Sequence, residues 1–144
     1  MTKKKMSKRP ESVLVLVYTN KLEVLLLKKN GYKDMWQSVT GSLFEHEDAY
    51  TAAKRELLEE TGIKGDPKNL NTSNSFEIYQ MWIDKYEKGV THNLEHIFEY
   101  KLEDKIDIIL DKNEHNEYLW LTRVKAAEKV FSHTNRQAIF DFVK

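Results

Sequence analysis

The chain contains no cysteine, only two prolines and only five glycines among its 144 residues. Without cysteine there can be no disulfide, no thiolate metal ligand and no cysteine nucleophile. So little proline and glycine excludes proline-rich or glycine-rich low-complexity tracts, and no internal repeat is visible. Net charge is missing as well: 23 Lys and Arg offset 23 Asp and Glu. That balance removes a global electrostatic attraction to nucleic acid or to an anionic membrane surface. Long apolar runs are also absent. The longest, "VLVLVY" from Val13 to Tyr18, is far too short to span a bilayer, and the basic start "MTKKKMSKRP" runs into it without a small-residue cleavage site. These absences predict one domain over residues 1–144, cytoplasmic, with no nucleic-acid or membrane partner and no obligate protein partner evident. Any chemistry must come from local charge.

What is present alternates between strand and helix patterns. "SVLVLVYT" and "EVLLLKK", separated by "NKL", read as two buried strands joined by a hairpin or short loop. "MWQSVTGSL" continues as a third extended piece. From Asp48 to about Thr61 the sequence turns helical, rich in Ala, Leu, Glu, Lys and Arg, and Gly62 stands where a C-terminal cap belongs. After the loop "KGDPKNLN" come further strand candidates, "FEIYQMWI", "EHIFEYKL" and "NEYLWL", and then two helical segments, "RVKAAEKVF" and "TNRQAIFDFV". The order implies an α+β fold in which a mixed β-sheet is sandwiched between α-helices.

The helix carries the chemical signal. At about 100° of turn per residue, Glu59 falls about 60° to one side of Glu56 and Glu60 about 40° to the other. Three carboxylates therefore share one arc. Clustered charge on a helix is most often a solvated face. Against that ordinary reading, Ala49, Ala52 and Ala53 lie in the same arc one to two turns upstream, and such small side chains let that face approach another element closely. Like charges at i and i+4 that lose water together are costly without a cation. Carboxylate oxygens are hard ligands, which points to Mg²⁺, with Mn²⁺ as the alternative.

Gly41, Glu47, Arg55, Glu56, Leu57, Glu59, Glu60, Gly62 and Ile63 match every fixed position of the Nudix hydrolase signature. On these residues the chain resembles that family. The resemblance implies a cation-binding loop-helix-loop, a sandwich fold, and hydrolysis of a nucleoside diphosphate linked to another group. Many members carry glycine where this chain has Ser42 and His46, so the loop before the helix is expected to be shaped differently. Glu56 and Glu60 are then expected to ligate metal, with Glu59 either a third ligand or the base that orients a water. Arg55 is expected to orient the glutamates by ion pairing, direct phosphate contact being the alternative. Glu47 is expected to hold the loop or complete an outer metal shell.

"KRP", "WQSVTGS", "FEIY", "GVTHNLEH" and "SHTNRQAI" extend the similarity over residues 8–143, to the branch of the family that removes pyrophosphate from 7,8-dihydroneopterin triphosphate in folate biosynthesis. This closer resemblance implies a small-molecule triphosphate substrate and a further metal ligand at Glu114, a residue that otherwise reads as a polar loop position. It also implies substrate contacts at Lys8, Lys29, Thr40 and Ser132. Phe76, Glu77, Ile78 and Tyr79 would line the wall beside the pterin, where aromatic faces can stack and Glu77 or backbone groups can reach its amino and ring N–H edges. Asn135 is expected to cap a helix beside Arg136, and Trp36 and Trp120 to be core residues. Three other functions remain open on the sequence: hydrolysis of another nucleotide, a non-catalytic nucleotide-binding module, and a single-stranded nucleic-acid binder. Retention of all the acids disfavours the second, and zero net charge disfavours the third.

Overall fold

The computed structural model describes residues 7–144. Its centre is β1 (Glu11–Thr19), the apolar run that the sequence marks most clearly and that is buried along nearly its whole length. A strand covered on both faces reads as continuous apolar sequence rather than as alternation. A turn with Leu22 in the left-handed region (φ 60°) leads into β2 (Glu23–Lys29). The two strands of this hairpin share one register pair, Tyr18 with Val24. They then diverge. The edge of β1 that β2 leaves is taken by β4 (Val39–Ser42), antiparallel from Ser12–Ser42 to Val15–Val39. β2 pairs instead with the short β3 (Trp36–Gln37) and with β7 (His115–Thr122). On its other side β1 pairs in parallel with β6 (His92–Leu102), and β6 pairs antiparallel with the edge strand β5 (Lys68–Glu77). The sheet has seven strands and mixed direction.

Alternation along β1 sends its side chains into two cores. Val13, Val15 and Val17 pack with Leu57 and Phe98 beneath α1 (Ala49–Thr61). Leu14, Leu16 and Tyr18 pack with Ala126, Val130 and Ile139 beneath α2 (Arg123–Lys129) and α3 (His133–Phe142). Helices cover both faces, as expected for an α+β sandwich. Trp36 belongs to the second core and Trp120 packs against the first. Among the described residues no helix is long and apolar enough to cross a membrane.

The central helix begins and ends where its caps dictate. Asp48 stands at the N-cap, its Oδ1 accepting the Thr51 N–H at 2.8 Å, and Gly62 closes the helix at φ 79°, donating its N–H to Leu58 O at 2.9 Å. Leu57 and Ile63, the aliphatic positions of the signature, are both core residues. Complete burial of such side chains contributes about 1.5–3 kcal/mol each.

Three expectations need correction. "MWQSVTGSL" is two short strands on different partners rather than one, because Trp36 and Gln37 follow β2 while Val39 to Ser42 follow β1. "FEIYQMWI" is not a strand: β5 ends at Glu77 and Gln80–Lys85 forms a 3₁₀ helix. There Trp82 is drawn out of any strand by its indole, which donates to Tyr32 OH at 2.7 Å. Finally, β5 starts at Lys68, inside the expected loop. As an edge strand with polar residues on its open side, it carries too few apolar residues to register in the pattern.

Candidate active site

The divergence of β1 and β2 opens a cavity of about 1160 Å³. One end is acidic. Glu56, Glu59 and Glu60 reach it from α1, and Glu114 reaches it from the loop before β7. Glu60 is only 4% exposed, and its Oε2 accepts the Thr40 N–H at 3.2 Å. Burial raises its pKa well above the ordinary glutamate value, the neighbouring Glu56 and Glu114 add to the rise, and the Thr40 N–H and Lys29 partly oppose it. Burial likewise raises Glu56 to about 7, against the opposing pull of Arg55 and with further raising by Glu59 and Glu114. Room for Glu56 comes from Gly41: a Cβ on that residue would sit 2.3 Å from the Glu56 Cδ. Glycine is required there by close approach.

Arg55 organises the acids. Its Nε and Nη2 fork onto Glu47 Oε2 and Oε1, both at 2.9 Å. Nη1 donates to Glu56 Oε1 at 2.6 Å and to Glu59 Oε2 at 3.3 Å, and Nη2 also donates to Ser42 O at 3.1 Å. All five N–H groups thus have partners, leaving none for a phosphate. The guanidinium also lies over the Phe44 ring, 3.7 Å from its centroid. Glu47 anchors both sides of the loop, since its Oε1 accepts the Phe44 N–H at 2.9 Å, and the Arg55 guanidinium holds its pKa below the usual value. The departure at His46 leaves the turn intact: His46 itself adopts the left-handed region at φ 65°. A glycine would sit there unstrained, whereas a non-glycine residue costs about 1–2 kcal/mol.

The other end of the cavity is aromatic. Tyr79 lies 4.9 Å from Phe131 and 5.6 Å from Trp82 between ring centroids, and Phe76 flanks Tyr79 at 6.5 Å. Lys8, Lys29, Thr40, Phe76, Ile78, Tyr79 and Ser132 all line the cavity. Glu77 does not. Phe76 is the register partner of Asn93, and strand alternation turns Glu77, beside His92, to the opposite, exposed side. Thr40 uses its hydroxyl to donate to Val13 O at 2.8 Å while its N–H holds Glu60, so its main role is to fix the acid. Crowding by protein atoms lowers the Lys8 pKa, and Lys85 and Lys29 lower it further. The helix cap expected at Asn135 belongs to Ser132, whose Oγ accepts the Asn135 N–H at 3.4 Å. Asn135 is buried and brackets Ser38, accepting its N–H and donating to its Oγ, both at 2.9 Å. Arg136 donates to Ala127 O at 3.0 Å and ties α3 to α2.

The profile of the NUDIX domain matches residues 8–142. The chain belongs to the Nudix family. Across 98% of its length it is 40% identical to the dihydroneopterin triphosphate diphosphatase of Escherichia coli K12, covering 97% of that protein. It is 35% identical to the protein of the same name from Haemophilus influenzae, over 92% of this chain and 86% of that one. The structure of the E. coli dihydroneopterin triphosphate pyrophosphohydrolase superposes with a TM-score of 0.90, at 39% identity, over 96% of this chain and 98% of that one.

The donor set of this Nudix helix fits a divalent cation. Among the described residues no three acidic or imidazole groups are already gathered at ligand spacing. Arg55 engages Glu56 and Glu59, and Thr40 engages Glu60. Yet two carboxylates have raised pKa values because they are desolvated beside one another, and hard oxygen donors in that condition suit a divalent cation. Glu56, Glu60 and Glu114 would hold it.

The sequence reading left out residues deeper in the Nudix cavity. Asn93 and Glu95 lie on one face of β6, and His115 stands at the start of β7 beside Gln37, with 3.1 Å between the Nε2 atoms. Desolvation lowers the His115 pKa to about 4, with Lys29 adding to the effect. The available signal was a polar-apolar alternation, "HNLEHIF", in a strand whose buried face takes the polar residues.

Proposed function

We propose that this chain, as one catalytic domain, hydrolyses 7,8-dihydroneopterin triphosphate to the monophosphate and pyrophosphate, with Mg²⁺ as working cation and Mn²⁺ able to replace it. The observation that carries the reading is one cavity with a carboxylate-rich end and an aromatic end, in a chain 40% identical along its length to a dihydroneopterin triphosphate diphosphatase. A triphosphate joined to a flat heterocycle has those two chemical ends. A cytoplasmic setting is part of the same proposal, supported by the lack of cysteine and of long apolar runs.

A divalent cation held by these acids would supply charge neutralisation for the phosphates and a water acidified toward neutral pKa. The protein's own part is orientation. Glu56 and Glu60 are fixed by Arg55 and Thr40, so the ligand oxygens are positioned before substrate arrives. Glu59 is half exposed and held by one 3.3 Å contact, and it is the carboxylate assigned to orient the attacking water and take its proton. Lys8 and Lys29 face the phosphates, and the rings of Phe76, Tyr79 and Phe131 pack against the heterocycle. The test is a parallel measurement of kcat/KM on dihydroneopterin triphosphate, ATP, GTP, a diadenosine polyphosphate and ADP-ribose. The pterin should lead by about tenfold or more, because a site built around buried polar edges penalises ligands that leave them unmatched. A lead by ATP or the dinucleotide overturns the substrate while leaving the family intact.

A further inference from the structure

The cavity holds two buried acceptors that no described residue uses. Glu95 is 5% exposed and Asn93 is 1% exposed, and both line the cavity. Glu95 Oε1 and Asn93 Oδ1 are buried with no hydrogen-bond partner among the described residues. Asn93 Nδ2 donates to Ser12 Oγ at 2.8 Å, which fixes the amide. The two residues are separated by two positions on one strand, so both side chains leave the same face of the sheet. Phe76 stands directly across from Asn93 on β5 and therefore shares that face.

Ordinary folding does not account for this pair. Buried polar atoms almost always find partners, and a buried carboxylate is kept only where a cation or several N–H donors meet it. No lysine or arginine among the described residues pairs with Glu95. Burial raises its pKa to about 7, an effect that the Thr134 hydroxyl partly offsets. A flat ring packed against Phe76 and Tyr79 would present its edge rather than its face to the strand. The missing partner is then a row of N–H donors on that edge.

We propose that Glu95 and Asn93 form the subsite that selects the heterocycle, accepting hydrogen bonds from an amino-amidine edge, a ring N–H beside an exocyclic amino group. This rests on the substrate reading above, since a pterin carries that edge. Guanine carries it too, but adenine lacks the ring N–H beside its amino group. Glu95 and Asn93 are thus specificity residues, carried by β6 rather than by the helix that holds the acids.

The experiment separates this subsite from the metal helix by leaving out phosphate and cation altogether. Neopterin and its 2,4-dioxo counterpart, which bears oxygen in place of the 2-amino group, are titrated into the wild-type protein by ligand fluorescence. Neopterin should bind about tenfold or more tightly, because the dioxo compound sets an acceptor against the carboxylate. In Glu95→Gln that preference should shrink or invert, since an amide can donate to the new oxygen, and Asn93→Ala should weaken both ligands, since both keep the ring N–H, while leaving the preference in place. Equal affinity of the wild type for the two ligands, or no neopterin binding up to its solubility limit, overturns the proposal. So does an unchanged preference in a folded Glu95→Gln. If that variant fails to fold, the wild-type ligand pair still decides. A protein that discriminates the two ligands yet hydrolyses ATP best would retain the subsite and lose the substrate assignment, so the two failures are distinguishable.

Discussion

At the scale of single residues, the acids differ in what holds them, and that predicts different consequences of removal. Glu56→Gln and Glu60→Gln keep the side-chain shape and relieve the cost of a desolvated charge, so both variants should fold. Each should lose kcat by about 100-fold or more, since one carboxylate ligand is gone. Turnover near wild type in both, at saturating Mg²⁺, would remove them from the mechanism. Glu114→Gln, on an exposed loop, should lose less, and added Mg²⁺ should restore part of it. Arg55→Lys is the sharper case. Lysine keeps the charge but has three donors in place of five and no planar fork, so Glu47, Glu56, Glu59 and Ser42 O cannot all be held. The expected result is a kcat loss of about tenfold or more and a rise in the Mg²⁺ concentration giving half-maximal rate, with substrate KM nearly unchanged. A large KM rise alone would show that Arg55 binds phosphate. The sequence already marked Arg55 as an organiser through its family motif, but the saturation of its five N–H groups is a fact of packing that no spacing rule contains. Glu77 and Asn135 were misjudged for a related reason: whether a strand residue points inward, or which of two polar residues caps a helix, depends on register that the sequence leaves open by one step or three.

At the scale of elements, α1 was legible almost to the residue. Asp48 and Gly62 are caps with local chemistry, and local chemistry is what a sequence displays. The strands of the centre were legible because burial on both faces leaves a continuous apolar run. β5 and the 3₁₀ helix were not. β5 is half exposed, and the apolar residues of Gln80–Lys85 and its flanks serve the cavity wall, so tertiary demand overrides their strand pattern. The contact between β4 and α1 yields a further prediction. Gly41→Ala places a methyl group 2.3 Å from Glu56 Cδ and Oε1, so the carboxylate must move. Activity should fall together with cation affinity, because the displaced carboxylate leaves the position in which Arg55 holds it. Wild-type Mg²⁺ dependence in Gly41→Ala would mean that the cradle does not position Glu56.

For the whole molecule, raised carboxylate pKa values make the cation-free fold sensitive to pH. Glu56 and Glu95 stand at about 7 when folded against 4.5 when free. Glu60 is also raised well above 4.5. Below pH 4.5 both states are protonated and nothing is lost; as pH rises toward 7 the unfolded chain ionises first and stability declines. His115 works the other way, from about 4 folded to 6.5 free, and adds stability over that interval. Glu11 and Glu47, with lowered values, have given their contribution by about pH 5. The melting temperature without cation should therefore fall between pH 6.5 and about 8, where no lowered carboxylate or histidine opposes the loss. Mg²⁺ favours the ionised acids and should raise it more at pH 8 than at about pH 5.5. A cation-free protein that grows more stable across that range would contradict the desolvated cluster.

The most direct measurement is phosphorus NMR of a quenched reaction of this chain with dihydroneopterin triphosphate and Mg²⁺. Cleavage within the triphosphate by one attack should give pyrophosphate and the monophosphate together from the earliest time points. Orthophosphate as the first product, or an intact pterin substrate under conditions where ATP is consumed, would contradict it.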